Sequence, residues 1–294
     1  MTDNLVGLQR DLAGKIYRHG TYQPFKISDP KPRDIHKAIV RDRLVHHAIY
    51  RILYPYFDRQ FIFDSYSCRL NKGTHRAINR FREFDYKVSR NQTQTTWVLK
   101  CDIRKFFASV DHNVLKEVLA KHIGDEATLW LLAAVIDSFS NDGKTNTGLP
   151  LGNLTSQLLV NVYMNECDQF VKRVLKVKYY IRYADDFVVL SEDREYLEKA
   201  LVSMGDFLVA KLKLQLHPDK VYIKALASGV DFLGWVHFSD HRVLRQTTKR
   251  RMYGRMAASQ KEETYQSYRG LLSHGNSWKT KQQLRNIFNE GPSE

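Results

Sequence analysis

The chain has 294 residues, of which 43% are hydrophobic and 12% aromatic, a composition that supports a sizeable core and excludes a disordered or fibrous protein. Its formal charge of +14 is unevenly spread: +9 over residues 1–96, −1 over 97–238 and +6 over 239–294. Basic flanks around a near-neutral centre suit a polyanion held at the ends while chemistry occurs in the middle, although solvated basic surface would look the same. Apolar runs such as Leu129 to Ile136 are too short to span a bilayer, and the N-terminus has no signal-peptide pattern. Cys68, Cys101 and Cys167 lack paired ligand spacing, so neither a disulfide framework nor a zinc site is expected. Together these features predict a cytoplasmic protein with no membrane partner.

The first 30 residues are polar and mixed, and lead into an extended stretch punctuated by Pro30 and Pro32. Residues 40–55 carry apolar side chains at 44, 45, 48, 49, 52 and 53, a helical stripe that Pro55 should end. A second helix is predicted over 73–84, a buried strand from Trp97 to Ile103, helices within 111–138, and a loop at Asn141 to Lys144. Ser156 to Leu175 reads as an apolar helix. Tyr179 to Tyr183 and Phe187 to Leu190 read as two strands of a hairpin. A helix from Glu192 to about Lys213 follows, with short strands at Leu214 to Leu216 and Val221 to Leu226. Then come Val230 to Val236 and a basic helical tail. Long helices alternating with hairpin strands give an α+β class, with sheet on one face and helices on the other.

The hairpin turn carries Asp185 and Asp186 side by side. Adjacent carboxylates repel unless a cation neutralises them, and a hard divalent ion suits oxygen ligands of this kind. By themselves they could be an exposed acidic turn. A third carboxylate, Asp102, stands at the end of the predicted strand Trp97 to Ile103. Three such groups can hold two metal ions, the arrangement that runs in-line phosphoryl transfer.

At this point the motifs resemble those of reverse transcriptases of the retron and group II intron superfamily. Asp102 to His112 is similar to their first palm motif, Gly148 to Gln157 to the second, and Tyr183 to Asp186 to the third. Lys220 resembles the fourth motif and Phe232 to Trp235 the primer grip. Lys31 to Asp34 and Asp64 to Gly73 resemble the fingers motifs. The likeness runs from about residue 30 to 280. It implies a right-hand polymerase: an N-terminal segment and fingers over 1–96, a palm with part of the fingers over 97–238, and a short basic helical thumb over 239–294.

The resemblance also implies roles. Asp102, Asp185 and the backbone carbonyl of Ile103 would hold two Mg²⁺ ions, with Asp186 in support and Mn²⁺ able to substitute. Lys220 would act as general acid for the leaving pyrophosphate, or else be a solvated loop lysine. Phe107 would exclude a ribose 2′-hydroxyl, or else pack in the core beside Phe106. Arg33 and Arg69 would meet the triphosphate, and Leu151, Gly152 and Gln157 would line the nucleotide site. Phe232, Leu233, Gly234 and Trp235 would position the primer, though they also read as a plain core strand. The implied partners are a template RNA, a DNA or RNA primer and deoxynucleoside triphosphates. Tyr253, Tyr265, Tyr268 and Trp278 could stack on nucleic acid or pack between helices.

Two positions depart from the usual second motif: Leu151 replaces glutamine before the glycine, and Gln157 replaces proline after the serine. This form resembles reverse transcriptases of diversity-generating retroelements, whose enzymes work with a small basic helical accessory protein and copy adenines mutagenically. Leucine offers volume without a hydrogen bond, and apolar contacts discriminate substrates less sharply than polar ones. Leu151 could also simply pack against a helix. The rival readings are a bacterial defence-associated reverse transcriptase with an unusual primer or template, and a non-catalytic RNA-binding scaffold. An RNA-dependent RNA polymerase is disfavoured by Phe107 and Ala184.

Overall fold

The computed structural model describes residues 2–28, 32–140 and 146–290. The expected loop at Asn141 to Lys144, and Lys31 of the first fingers motif, lie outside the described residues. The chain opens with helix α1 (Thr2–Ala13), the hairpin β1 (Gln23–Ile27) and β2 (Arg33–Lys37), and helices α2 (Val40–Asp58) and α3 (Thr74–Val88). Then follow β3 (Trp97–Asp102), α4 (Phe106–Ser109), α5 (His112–Ala120), α6 (Glu126–Ile136) and α7 (Leu154–Gln169), which runs into a π-helical turn over Phe170–Val174. Next come β4 (Tyr180–Tyr183), β5 (Asp186–Ser191), α8 (Arg194–Leu212), β6 (Tyr222–Ala225), β7 (Val230–Phe232), β8 (Trp235–His237) and β9 (Arg242–Leu244). Three helices, α9 (Gln246–Ala258), α10 (Glu262–Leu272) and α11 (Trp278–Glu290), complete the described chain. The sheets are β1-β2, β4-β5-β3-β6 and β7-β8-β9.

Two expectations need correction. Pro55 lies inside α2 rather than ending it. A proline near a helix C-terminus forfeits only one hydrogen bond, and Phe57 and Phe61 are buried and anchor the final turn. Leu214 to Leu216 forms no strand, only an isolated bridge between Leu216 and Ile103. Although polar, the N-terminal segment is ordered into α1 and β1. Their order comes from tertiary partners: Tyr17 is buried and donates to Asp42 Oδ1 at 2.8 Å.

The described residues divide into two compact units that cut across the fingers, palm and thumb partition. The first comprises residues 1–73, 100–187 and 199–221. Two of its helices, α5 and α6, start on side-chain caps: Asp111 accepts from Val114 N–H at 3.0 Å and Asp125 from Thr128 N–H at 2.7 Å. Helix α7 is buried along most of its length, including Leu158, Val162 and Tyr163 but also the polar Thr155, Asn161 and Asp168.

The second unit comprises residues 74–99, 188–198 and 222–294. Helix α3 buries Ala77, Ile78, Phe81, Phe84 and Val88 at helical spacing. Strands β7 and β8 pair Phe232 with Trp235, so Leu233 and Gly234 form a two-residue turn with φ of 51° and 86°. Two positive φ angles are the signature of a type I′ turn, for which leucine is an unfavourable residue. A Cβ at Gly275 would come within 2.2 Å of the Trp235 ring, so only glycine fits against it. Arg242 donates to the carbonyls of His274 and Ile78 and to Asn79 Oδ1, and lies over Trp235. In the C-terminal helices Tyr265 stacks on Phe288 at 4.4 Å and Tyr253 donates to Gln283 at 2.6 Å, so both serve helix packing. Trp278 is exposed.

Candidate active site

Every predicted catalytic, metal and nucleotide residue lies in the first unit. Strand β3 delivers Asp102 at its end, and the next residue, Ile103, donates its N–H to the Asp185 carbonyl at 3.2 Å. That bond brings the strand end to the turn between β4 and β5, made of Ala184 and Asp185 alone. Ala184 takes φ of 56°, a left-handed conformation that lets the chain reverse in two residues. On the other side, His217 N–H donates to the Asp102 carbonyl at 2.8 Å and Arg104 N–H to the Gln215 carbonyl at 2.9 Å. This pairing carries Lys220 to the site, where its half-exposed ammonium meets Asp102 Oδ1 at 2.9 Å.

The three carboxyls differ in environment. Asp185 is pushed above the ordinary carboxylate range, chiefly by burial, with the Asp102 charge adding to it. Asp186 is pushed up to about 6, again by burial first, opposed by Lys100, with the charges of Asp185 and Asp102 raising it further. Lys100 is buried and pairs directly with Asp186. Among the described residues no group of three or more His, Cys, Asp or Glu side chains converges on one point. Asp102 and Asp186 instead each hold a lysine. The donor set nevertheless fits a hard divalent ion, because it is all oxygen and its like charges lack full compensation.

Beneath the turn lies a buried network. Arg182 on β4 is fully buried and grips Asp168 of α7, with Nε to both carboxylate oxygens at 2.8 and 2.9 Å and Nη2 to Oδ2 at 2.7 Å. Its Nη1 donates to Asn161 Oδ1 and to the Ala184 carbonyl, each at 3.1 Å, and Nη2 also reaches Ser65 Oγ. Tyr180 adds a hydroxyl donor to Asp168 at 2.8 Å. The bond to Ala184 fixes the residue immediately before Asp185.

The second motif is strapped to β2. Leu151 offers its carbonyl to His36 N–H at 3.0 Å, and Asn153 donates to the His36 carbonyl at 2.8 Å while accepting from Ala38 N–H. Gly152 has φ of 101°, and a Cβ there would lie 2.6 Å from Ile35 Cγ2. Arg33 is on the same strand, exposed, so β2 brings Arg33, Leu151 and Gly152 into one neighbourhood. Leu149 N–H donates to the Phe107 carbonyl at 2.8 Å, and buried His112 donates to the Gly148 carbonyl at 2.7 Å, joining the first motif to the second. Phe107 is half-buried and packs edge-on against buried Phe106. Gln157 is half-buried in the first turn of α7. Arg69 is not brought to this group: its guanidinium donates to Asp58, to the carbonyls of Ile62 and Ser65, and to the Asp58 carbonyl.

Comparison with known proteins settles the class. Residues 28–237 match the family described as reverse transcriptase (RNA-dependent DNA polymerase). The chain belongs to the reverse transcriptase family. It is 28% identical over 280 residues to protein YkfC of Escherichia coli, covering 81% of this chain and 71% of that protein. It is 23% identical to the group II intron-encoded protein LtrA of Lactococcus lactis, covering 85% of this chain and 53% of LtrA. A putative COX1/OXI3 intron 2 protein of Saccharomyces cerevisiae is 21% identical, with 74% of this chain matched to 30% of that protein. In fold, the chain is similar to apo telomerase from Candida tropicalis (TM-score 0.61, 10% identity, covering 92% of this chain and 57% of that one). These matches agree with an α+β right-hand polymerase. Among the described residues, no helix is long and apolar enough to cross a membrane.

Three residues that brace this site escaped sequence reasoning. Lys100 had a signal, a lysine two positions before Asp102 and therefore on the same face of an apolar strand. Arg182 sits among the aromatic residues of β4, and Asp168 shares a buried helical stripe with Asn161 and Asn165 on α7. Polar residues inside apolar elements are buried only when paired, so each signalled a partner without naming it. The residues expected to form a primer grip belong to the second unit, where Phe232 and Trp235 are buried and Leu233 and Gly234 form the half-buried turn.

Proposed function

We propose that this chain is an RNA-directed DNA polymerase that extends a DNA or RNA primer on a template RNA with deoxynucleoside triphosphates. The observation that carries the reading is the Asp102 strand end hydrogen-bonded to the Asp185 turn, with Lys220 alongside. Asp102, Asp185 and the Ile103 carbonyl are the groups that would hold Mg²⁺ or Mn²⁺, with Asp186 kept in place by Lys100. Bound there, the metal supplies charge neutralisation for attack of the primer 3′-hydroxyl on the α-phosphate. Lys220, paired with Asp102, would supply the proton to the leaving pyrophosphate. Phe107 limits the space at the sugar, favouring deoxynucleotides. Arg33 is the finger cation that stays exposed, whereas Arg69 braces the loop from Asp58 to Ser65.

The finer assignment, mutagenic copying within a diversity-generating retroelement, rests on Leu151 and Gln157. Leu151 is pinned through its carbonyl, which leaves an apolar side chain where a polar one would contact the incoming nucleotide. A small basic helical accessory protein belongs to the same proposal. The test is to sequence cDNA made by wild type and by Leu151→Gln on one RNA template. Misincorporation concentrated at template adenines and reduced by Leu151→Gln supports the subtype. Accurate copying by both proteins rejects it and leaves an ordinary polymerase.

A further inference from the structure

Residues 17–22 approach the second motif through two histidines. His19 Nδ1 lies 2.6 Å from the Gly20 carbonyl, His19 Nε2 lies 2.9 Å from His46 Nε2, and His46 Nδ1 lies 2.5 Å from Thr155 Oγ1. A carbonyl only accepts, so His19 Nδ1 carries a proton and a neutral His19 offers a lone pair at Nε2. His46 Nε2 must then donate, which leaves His46 Nδ1 to accept from the Thr155 hydroxyl. One arrangement of protons satisfies all three contacts with both rings neutral. Burial and the neighbouring His19 hold His46 in that form by lowering its pKa to about 4.

The surrounding groups fasten the two histidines in place. Asp42 is fully buried and accepts from the Tyr17 hydroxyl and from Gly20 N–H, both at 2.8 Å, with His19 Nδ1 at 3.5 Å. Arg41 lies 3.9 Å from Asp42 and over the Tyr17 ring. Tyr22 stacks on His19 and shares a hydrogen bond with Ser138, while His47 is exposed. Gly20 admits no side chain, since a Cβ would meet Ile39 Cδ1 at 2.8 Å and Asp42 Oδ2 at 3.0 Å.

Thr155 is buried in the first turn of α7, two residues before Gln157 and four after Leu151. The loop is thus pinned at Leu151 and Asn153 by β2 and at Thr155 by His46. We infer that His46, braced by His19, is a positioning residue for nucleotide selection, setting the placement of Leu151 to Gln157 from outside the site. The inference rests on the polymerase reading of that site. Thr155 is too buried to touch substrate, so it acts through the residues flanking it.

The test compares steady-state deoxynucleotide incorporation by wild type, His46→Leu, Thr155→Val, the double variant, His46→Asn and Thr155→Ser. Losing one buried hydrogen bond in the chain raises KM for the nucleotide about fivefold to tenfold with kcat within about twofold. Thr155→Ser keeps the hydroxyl and stays near wild type. His46→Asn retains an acceptor for Thr155 and falls between wild type and His46→Leu. The double variant is no worse than either single, because both break the same chain. Multiplicative effects, or a lowered melting temperature with KM unchanged, overturn the inference. Amide hydrogen exchange over Leu151 to Gln157 separates the two levels of the argument. Faster exchange in His46→Leu and Thr155→Val upholds the coupling even if wild type incorporates nothing, an outcome that would reject the polymerase reading instead. Unchanged exchange rejects the coupling.

Discussion

Replacing Arg182 by lysine keeps a positive charge under the Asp185 turn but removes the fork that shapes it. The wild-type guanidinium places three bonds on Asp168 between 2.7 and 2.9 Å and one each on Asn161, Ser65 and the Ala184 carbonyl. A single ammonium can replace the bonds to Asp168 or the bond to Ala184, but not both sets at full geometry. Two or more buried bonds lost at about 1 kcal/mol each put Arg182→Lys about 2–3 kcal/mol below wild type. Arg182→Met leaves the Asp168 carboxylate buried with only the Tyr180 hydroxyl, and costs about 3–5 kcal/mol. Adding Asp168→Leu to Arg182→Met recovers much of that loss, since an apolar pair replaces an uncompensated charge. Equilibrium urea unfolding measures all three. Primer extension by the paired apolar variant reports the separate contribution to turn geometry, and it falls even where stability is recovered. Arg182→Lys within about 0.5 kcal/mol of wild type, or a double variant as unstable as Arg182→Met, would refute the reasoning.

Acid should weaken the protein through its buried histidines. His46 titrates near 4 in the folded protein and near 6.5 unfolded, so the unfolded chain binds the extra proton between those values. Its contribution is complete above pH 6.5 and is lost as pH falls to 4, about 3 kcal/mol in all. Wild type should therefore lose more unfolding free energy between pH 7 and 4.5 than His46→Asn, and parallel curves would contradict this. Gly152→Ala places a methyl 2.6 Å from Ile35 at a φ of 101°, costs about 2 kcal/mol or more, and slows nucleotide incorporation. An alanine variant with wild-type unfolding would show that β2 does not press on this loop. Leu233→Asn relieves the positive φ of the β7–β8 turn and raises stability by about 0.5–1 kcal/mol, read as a higher melting temperature; a drop would mean that Leu233 packing outweighs the turn.

Much of the site was legible because its parts are local. Asp102 at a strand end and Asp185 in a tight hairpin turn follow from apolar periodicity, with Asp186 falling one residue on as the first of β5. What sequence could not supply was pairing across the fold. Lys100 and Asp186 are far apart in sequence, as are Arg182 and Ser65, and Thr155 and His46. Arg69 illustrates the converse. Its charge suggested a triphosphate contact, but the loop from Asp58 to Ser65 occupies its guanidinium. Pro55 was misread as a helix end because burial of Phe57 overrides local preference.

The central claim is that Asp102 and Asp185 form a metal-dependent nucleotidyl-transfer centre. Incorporation of labelled deoxynucleotide on a primed RNA template, with Mg²⁺ and in excess EDTA, compared with Asp185→Asn, tests it most directly. The account predicts extension that needs the metal and falls about a thousandfold or more in the variant, with the fold intact. Extension that persists in Asp185→Asn, or none by folded wild type on primed RNA templates with Mg²⁺, would contradict it.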